Sequence, residues 1–117
     1  MQQADCLFCK IADGKIPSKK VFENDKVLAF NDLHPAASHH YLFIHKDHTQ
    51  NVNDLVETEP SQMAEIFKAI QLVTQREGLD QTGFRVVTNS GPDAGQTVFH
   101  THFHVLGGEP LRGFGSR

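Results

Sequence analysis

A chain of 117 residues suits one compact domain, and we expect residues 1–117 to form it. The formal net charge of −3, with no basic block, excludes the electrostatic footprint of a nucleic-acid-binding protein. Hydrophobic residues make up 38% of the chain and fall in short runs, which predicts a soluble protein with no membrane span. The N-terminal residues lack the apolar core of a signal peptide, so we expect a cytoplasmic location.

The N-terminal half is predicted to form a short helix and three strands. Gly14 ends the helix, Ile16-Pro17 imposes an extended path, and Asn24-Asp25 joins the first two strands as a hairpin. The predicted ranges are 7–13 for the helix and 19–24, 26–32 and 40–45 for the strands. A polar loop then extends to about Asn53.

The C-terminal half is predicted to begin with a long helix from about Pro60 to Glu77. Residues at helical spacing give this helix one buried stripe: Met63, Ile66, Phe67, Ile70, Val73 and Thr74. Two strands follow at 83–90 and 97–107, separated by a glycine-containing turn at 91–96. Five strands, mostly in hairpins, with one long and one short helix predict an α+β domain with an antiparallel sheet.

Histidine is the unusual residue, and three of the eight alternate within FHTHFHV at 99–105. Because side chains alternate along a strand, His100, His102 and His104 are predicted to share one face. The other face, against the core, is predicted to carry the residues between and beside them: Phe99, Thr101, Phe103 and Val105. Three imidazoles on one face indicate a chemical site more than a structural one.

Two chemistries fit this row of imidazoles. Three neutral histidines can bind a catalytic zinc and leave a coordination position open. Alternatively, one imidazole can attack phosphorus as a nucleophile near neutral pH. The preceding turn favours phosphate, because Gly91 and Gly95 permit the backbone of an anion nest, and Asn89 and Thr97 add donors.

Cys6 and Cys9 form a C-x-x-C pair at the start of the chain. No strand precedes them, which disfavours a thioredoxin-like redox site. Two readings remain open from the residues alone. The pair is either half of a zinc site or two reduced thiols.

Several spaced motifs resemble the histidine triad (HIT) family over nearly the whole chain. The segment NSGPDAGQTVFHTHFHVLGG at 89–108 resembles the family signature, in which three alternating histidines follow an Asn…Gly-Gln segment. The N-terminal half resembles the family in the same order through FCKI, IPS, LAFND, PAA and HYLFI. The branch that it resembles most is that of the histidine triad nucleotide-binding proteins, which are nucleoside phosphoramidases.

The resemblance implies a five-stranded antiparallel sheet that joins a second copy's sheet across a homodimer. It also implies binding of purine nucleotides such as AMP or GMP. The implied reaction is hydrolysis of the P–N bond of adenosine or guanosine 5′-monophosphoramidates through a covalent nucleotidyl-histidine intermediate. No organic cofactor is implied.

The resemblance also assigns roles to individual residues. The family nucleophile is the middle histidine of the triad, here His102, with His100 and His104 beside it and His40 as the fourth histidine of the site. The implied nucleotide-binding set is Asn89 and Thr97 at the phosphate, Asp32 at the ribose, Phe8, Ile11, Phe30 and Leu33 around the base, and Gln96.

Some members of the family carry a structural zinc, and its ligand positions match residues here. The implied ligands are Cys6, Cys9, His48 and His100. Two cysteines and two histidines make a closed tetrahedral set, which suits a structural ion. We therefore expect a zinc that staples the N-terminal segment to the last strand.

This chain departs from the family pattern in three places. His45 stands where the family usually has Pro, and His39 doubles His40, of which His40 is the better match to the site. The Gly-rich tail after Gly107 is short, whereas the tail of family dimers can reach the partner's site.

Three alternative functions stay open. One is a dinucleoside polyphosphate hydrolase of the same family, although Gly107-Gly108 fits the phosphoramidase branch better. The others are a non-catalytic nucleotide-binding protein and a three-histidine zinc hydrolase. A transferase is disfavoured because His104 stands where the transferases of the family carry Gln.

Overall fold

The structure is a computed structural model that describes residues 5–113. Within that range the chain forms four α-helices, one 3-10 turn and five strands. In chain order these are α1 (Leu7–Ala12), β1 (Lys20–Glu23), β2 (Val27–Asn31), β3 (His39–His45), α2 (Val52–Thr58), α3 (Ser61–Arg76), α4 (Leu79–Thr82), β4 (Phe84–Val87), the 3-10 turn (Pro92–Ala94) and β5 (His102–Gly107).

The five strands form one antiparallel sheet in the order β1-β2-β3-β5-β4, which confirms the predicted fold class. The central pairing of β3 with β5 sets Leu42 opposite His104 and Ile44 opposite His102. The short helices α2 and α4 were not predicted, because each is too short to show a helical period.

The sheet has an apolar cluster on each face. Helix α3 covers one face, and its buried residues pack against alternate residues of β2, β3 and β5, including Val27, Phe43 and Phe103. Helix α1 covers the other face, where Phe8 and Ile11 pack on Leu28, Phe30, Leu42 and Ile44. The second cluster lies on the face that carries His102 and His104, because both face the same way as Leu42 and Ile44.

Helix α3 begins and ends within one residue of its predicted bounds. Gly78 follows it with a left-handed φ of 77°, which an L side chain adopts only with strain. Two residues of the predicted stripe are not fully buried. Met63 is half-buried, and Phe67 is 41% exposed, although its ring packs edge-on against Phe103 with centroids 5.4 Å apart. Ala69 and Gln62 are buried on this helix instead.

The predicted last strand at 97–107 is wrong in its first half, since β5 begins at His102. Residues 96–101 leave the sheet and bond to the loop after β3, where Thr101 N–H donates to the Thr49 carbonyl at 2.8 Å. The alternation across 99–105 therefore fails at its start. Phe99 is 50% exposed rather than in the core, whereas Thr101, Phe103 and Val105 are buried.

The chain turns back immediately after β5. Gly108 adopts a φ of 86°, and a Cβ there would clash with Cδ2 of His39. Glu109 then accepts hydrogen bonds from the backbone N–H and the hydroxyl of Ser38, both at 2.6 Å. The end of the tail, residues 114–117, lies outside the described residues, and with it the expected reach toward a partner. Among residues 5–113, no helix is long and apolar enough to cross a bilayer.

Candidate functional site

The histidines of the triad divide between two neighbouring clusters. His102 and His104 lie on β5, on the face that α1 covers, beside His40 of β3. His100 precedes the strand and lies with Cys6, Cys9 and His48. All three triad imidazoles are buried, with exposures between 1% and 8%.

A backbone hydrogen bond determines which ring nitrogen of His102 carries the proton. Nδ1 lies 2.7 Å from the carbonyl oxygen of His100, and because a carbonyl only accepts, Nδ1 carries the proton. Nε2 therefore keeps its lone pair. Burial lowers the pKa of His102, against smaller opposing effects of that hydrogen bond and of Asp32, so the ring is neutral at pH 7.

His40 and His104 form a hydrogen-bonded pair whose tautomers follow from the backbone. The N–H of Ala36 donates to Nδ1 of His40 at 3.0 Å, which places the proton of His40 on Nε2. Nε2 of His40 lies 2.8 Å from Nδ1 of His104 and 3.5 Å from Oδ2 of Asp32. His104 thus accepts at Nδ1 and carries its own proton on Nε2.

Asp32, His40 and His104 also bring three potential metal-ligand atoms within 4.8 Å of one another. The hydrogen bond from Ala36 argues against an ion there, because it keeps the proton of His40 on the nitrogen that would have to bind the metal. We interpret the group as a hydrogen-bonded chain.

His39 and His40 point to opposite faces of the sheet. His40 is buried beside His104, whereas Nδ1 of His39 lies 2.6 Å from the hydroxyl of Tyr41 on the α3 face. The structure thus brings His40, and not His39, to the imidazole cluster.

Three of the four apolar residues that were expected around the base lie together beside His102, and one does not. Phe8 meets His102 edge-on with ring centroids 5.0 Å apart and meets Phe30 at 5.6 Å. Ile11 belongs to the same buried cluster. Leu33 is 89% exposed and lies outside this cluster.

The two glycines of the turn before the histidines adopt the positive φ values that the predicted anion nest requires. Gly91 and Gly95 adopt φ values of 86° and 87° on either side of the 3-10 turn. Gln96 is buried, and its side chain stabilises the loop through three hydrogen bonds. Its Oε1 accepts from Gly91 N–H at 2.8 Å, while its Nε2 donates to the carbonyls of Gln50 and Val98 at 2.7 and 3.1 Å.

Two residues predicted at the phosphate lie on different sides of this loop. Asn89 follows β4 and is half-buried. Thr97 is exposed and lines a depression of ≈ 510 Å³ shared with Cys6, His48 and Gln50. The structure does not bring the Thr97 side chain into the buried imidazole cluster.

Cys6, Cys9, His48 and His100 converge on one point, with their ligand atoms all within 4.8 Å of one another. Nδ1 of His100 lies 3.4 Å from the sulfur of Cys6 and 3.5 Å from that of Cys9, and Nδ1 of His48 lies 3.3 Å from Cys9. Neighbouring sulfur and nitrogen ligands of a tetrahedral zinc are roughly 3.5 Å apart.

The protonation of His100 suits a metal ligand. Its Nε2 donates to the carbonyl of His45 at 2.8 Å, which leaves Nδ1 unprotonated and facing the two sulfurs. Burial lowers the pKa of His100 to about 4, and burial also lowers that of His48. The donor set, the spacing and the protonation together fit Zn²⁺.

Sequence reasoning missed two side-chain hydrogen bonds next to the site. Thr49 and Thr101 bond through their hydroxyls at 2.7 Å, and His45 bonds Glu65 of α3 at 2.9 Å. None of these contacts has a sequence signal, because each joins residues at least 20 positions apart.

Comparisons with known proteins give a consistent result. A family model described as the HIT domain matches residues 13–111. A histidine triad protein from Clostridium difficile is 46% identical, with a TM-score of 0.94 over 97% of this chain and 99% of that one. A HIT family hydrolase from Clostridium thermocellum is 39% identical, with a TM-score of 0.91 over 97% and 98%. A histidine triad nucleotide-binding protein from Candida albicans is 32% identical, with a TM-score of 0.80 over 94% and 86%.

Proposed function

This chain belongs to the HIT domain family, and from that premise we propose that it hydrolyses P–N bonds of purine nucleoside 5′-phosphoramidates with His102 as the nucleophile. Similar proteins named as a HIT family hydrolase and as a histidine triad nucleotide-binding protein support hydrolysis and nucleotide binding. The observation that carries the proposal is the 2.7 Å hydrogen bond from Nδ1 of His102 to the His100 carbonyl. It makes Nε2 the reactive nitrogen.

In the first step, the lone pair on Nε2 of His102 forms a bond to the α-phosphorus as the P–N bond breaks. The amine leaves with the electron pair of that bond and takes up a proton. His104 carries a proton on Nε2, and its Nδ1 accepts from His40, so the pair can donate to the leaving group or to a phosphate oxygen.

In the second step, water attacks the phosphorus of the nucleotidyl-histidine. The bond from phosphorus to Nε2 breaks, and the electron pair returns to His102. The nucleoside monophosphate leaves with the water oxygen, and the water releases a proton to solvent. The backbone of the turn at Gly91–Gly95 and the side chain of Asn89 are the proposed donors to the phosphate oxygens.

The base and the ribose have proposed contacts on either side of His102. Phe8, Ile11 and Phe30 form an apolar wall beside the reactive imidazole, which suits a purine ring. Asp32 lies next to His40, and its carboxylate can accept hydrogen bonds from a ribose diol. The exposed Leu33 follows Asp32 and would contact a base only from outside the buried cluster.

We further propose that Cys6, Cys9, His48 and His100 bind a structural zinc. All four positions are protein ligands, which leaves no open position for a reacting group. When bound, the ion would join the start of α1 to the segment that leads into β5. Its chemistry there is structural.

We also propose that the protein is a homodimer that joins two sheets along β4. The β1 edge carries the charged side chains Lys20 and Glu23, and the carbonyl of Val21 accepts from Arg76. Strand β4 instead borders an apolar groove of ≈ 550 Å³. Its lining includes Phe67, Ile70, Phe84 and Val86.

The proposed activity is tested by hydrolysis of adenosine 5′-phosphoramidate with wild type and with His102→Ala, each with and without a zinc chelator. We expect the substitution to lower turnover by roughly 10³-fold or more, because it removes the proposed nucleophile. Turnover that survives chelation in the folded protein would exclude a catalytic zinc. Turnover that survives His102→Ala would exclude His102 as the nucleophile.

The same samples separate the alternatives. Faster hydrolysis of diadenosine polyphosphate than of the phosphoramidate would identify a dinucleoside polyphosphate hydrolase. AMP binding without turnover of either substrate would identify a nucleotide-binding protein.

A further inference from the structure

His45, at the end of β3, connects the long helix to the histidines on the other side of the sheet. It is 4% exposed and has no role in the proposed mechanism. Its side chain bonds Glu65 of α3 at 2.9 Å, while its carbonyl oxygen accepts from Nε2 of His100 at 2.8 Å. One residue therefore contacts α3 through its ring and His100 through its backbone carbonyl.

The neighbours of the His45 ring leave it a single tautomer and orientation. Its Nδ1 accepts from the backbone N–H of Asp47 at 3.1 Å, so Nε2 carries the proton and donates to Oε1 of Glu65. The bond to Asp47 also closes the turn that leads to His48. His45 is thus linked to two proposed zinc ligands, because its ring bonds the turn before His48 and its carbonyl bonds His100.

The contacts continue from His100 to the reactive imidazole. The carbonyl of His100 accepts from Nδ1 of His102 at 2.7 Å. Glu65, His45, His100 and His102 therefore form one series of three hydrogen bonds, each with a defined donor and acceptor. A shift of the His45 carbonyl would move His100 and with it the acceptor that fixes the tautomer of His102.

We propose that Glu65 and His45 are positioning residues that set the orientation of His100 as a zinc ligand and, through its carbonyl, of His102 as the nucleophile. This inference rests on the proposed function. Removing the acceptor at Glu65 would leave a buried N–H of His45 without its partner, so the ring would turn to find another. Outer partners of metal-bound histidines commonly change metal affinity by about 10- to 100-fold.

The chain supplies a matched control for Glu65. The Glu23 side chain is 33% exposed against 32% for Glu65, and it bonds Lys46, the residue after His45, at 2.7 Å. Glu23→Ala thus removes a carboxylate of similar exposure, which bonds the residue next to His45, without touching the series. Glu65→Gln is the conservative variant, because its amide oxygen can still accept from His45.

The experiment measures two quantities on wild type, Glu65→Ala, Glu65→Gln and Glu23→Ala. Zinc affinity is measured by competition with a chromophoric chelator, and kcat and KM are measured separately on adenosine 5′-phosphoramidate. We expect Glu65→Ala to bind zinc about tenfold more weakly and to lose kcat with KM unchanged. Glu65→Gln and Glu23→Ala are expected to stay within about twofold of wild type.

Ring nitrogen NMR of the zinc-loaded protein gives a readout that a merely structural role would not move. We expect the Nδ1-protonated form of His102 in wild type and Glu65→Gln, and a mixture of tautomers in Glu65→Ala. Equal zinc affinity, kcat and tautomer in Glu65→Ala and Glu23→Ala would overturn the inference.

The outcomes also distinguish this inference from the proposed function. A wild type that binds no zinc overturns the inference, and phosphoramidate turnover on the same sample still decides the activity. If the phosphoramidate is not hydrolysed but Glu65→Ala alone weakens zinc binding, the proposed activity fails and the positioning of His100 is supported.

Discussion

At the scale of single residues, the partner of each imidazole decides which of its nitrogens is available. The backbone carbonyl of His100 holds the proton of His102 on Nδ1, the carbonyl of His45 holds that of His100 on Nε2, and Ala36 N–H keeps that of His40 on Nε2. Chemically identical side chains in two neighbouring clusters therefore carry their protons on different nitrogens, as the proposed roles of nucleophile, metal ligand and proton donor require.

The neighbouring pair His39 and His40 gives a test at this scale. We expect His40→Ala to lower kcat for adenosine 5′-phosphoramidate by roughly 10- to 10²-fold, because His104 loses the donor that fixes its tautomer. His39→Ala removes an imidazole from the other face, where it bonds Tyr41, and should leave kcat within a few-fold of wild type. Steady-state kinetics on the two variants decide the matter, and equal losses would contradict the assignment of His40.

At the scale of elements, residues 96–101 matter because they leave the sheet. Side chains and backbone of this segment donate to three carbonyls, those of His45 at the end of β3 and of Thr49 and Gln50 in the loop after it. The segment thereby holds the glycine turn at one end and His100 at the other.

Gln96→Glu tests how much the glycine turn depends on this fastening. The carboxylate can still accept from Gly91 N–H, but it faces the carbonyls of Gln50 and Val98 without a donor. We expect a loss of about 1–3 kcal/mol in the free energy of unfolding and a raised KM for the phosphoramidate. Urea denaturation and kinetics measure the two effects.

Gln75→Glu is the control for that prediction, because Gln75 is exposed on α3 and the same change there should stay within about 0.5 kcal/mol. A Gln96→Glu protein as stable as the control, with unchanged KM, would show that the turn holds its shape without Gln96.

At the scale of the whole molecule, the two faces of the sheet serve different purposes. The α1 face carries the imidazole cluster and the cysteines, whereas the α3 face carries the larger apolar cluster. Beside β4, the α3 face also leaves Phe67 and Phe84 about two-fifths exposed, at 41% and 39%. This is the surface that we assign to the second copy.

Phe84→Lys tests the dimer. A lysine in the apolar groove would place a charge in the interface, so we expect the variant to sediment as a monomer while wild type sediments as a dimer. Leu72→Lys is the control, because Leu72 is 45% exposed on α3 but does not line the groove. A monomeric wild type, or dissociation of both variants alike, would rule out this surface.

The amino-acid sequence by itself determined the fold class, three of the five strands nearly to their bounds, the long helix, and most of the residues that gather at the imidazoles and at the cysteines. These features are local, because each is indicated by a short stretch of sequence: a hydrophobic period, a turn residue or a motif spacing. The strand predicted at 83–90 ends at Val87. The same local signals failed for α2 and α4, which are shorter than the window that reveals a period.

Only the tertiary structure decided where β5 begins, that Phe99 and Leu33 are exposed, that Thr97 lies outside the imidazole cluster, and which of His39 and His40 joins it. It also decided the tautomer of each histidine and revealed the contact of His45 with Glu65. The physical reason is that these properties depend on hydrogen bonds between segments far apart in the chain. Every residue has a backbone carbonyl, so a sequence pattern does not reveal which carbonyl orients an imidazole.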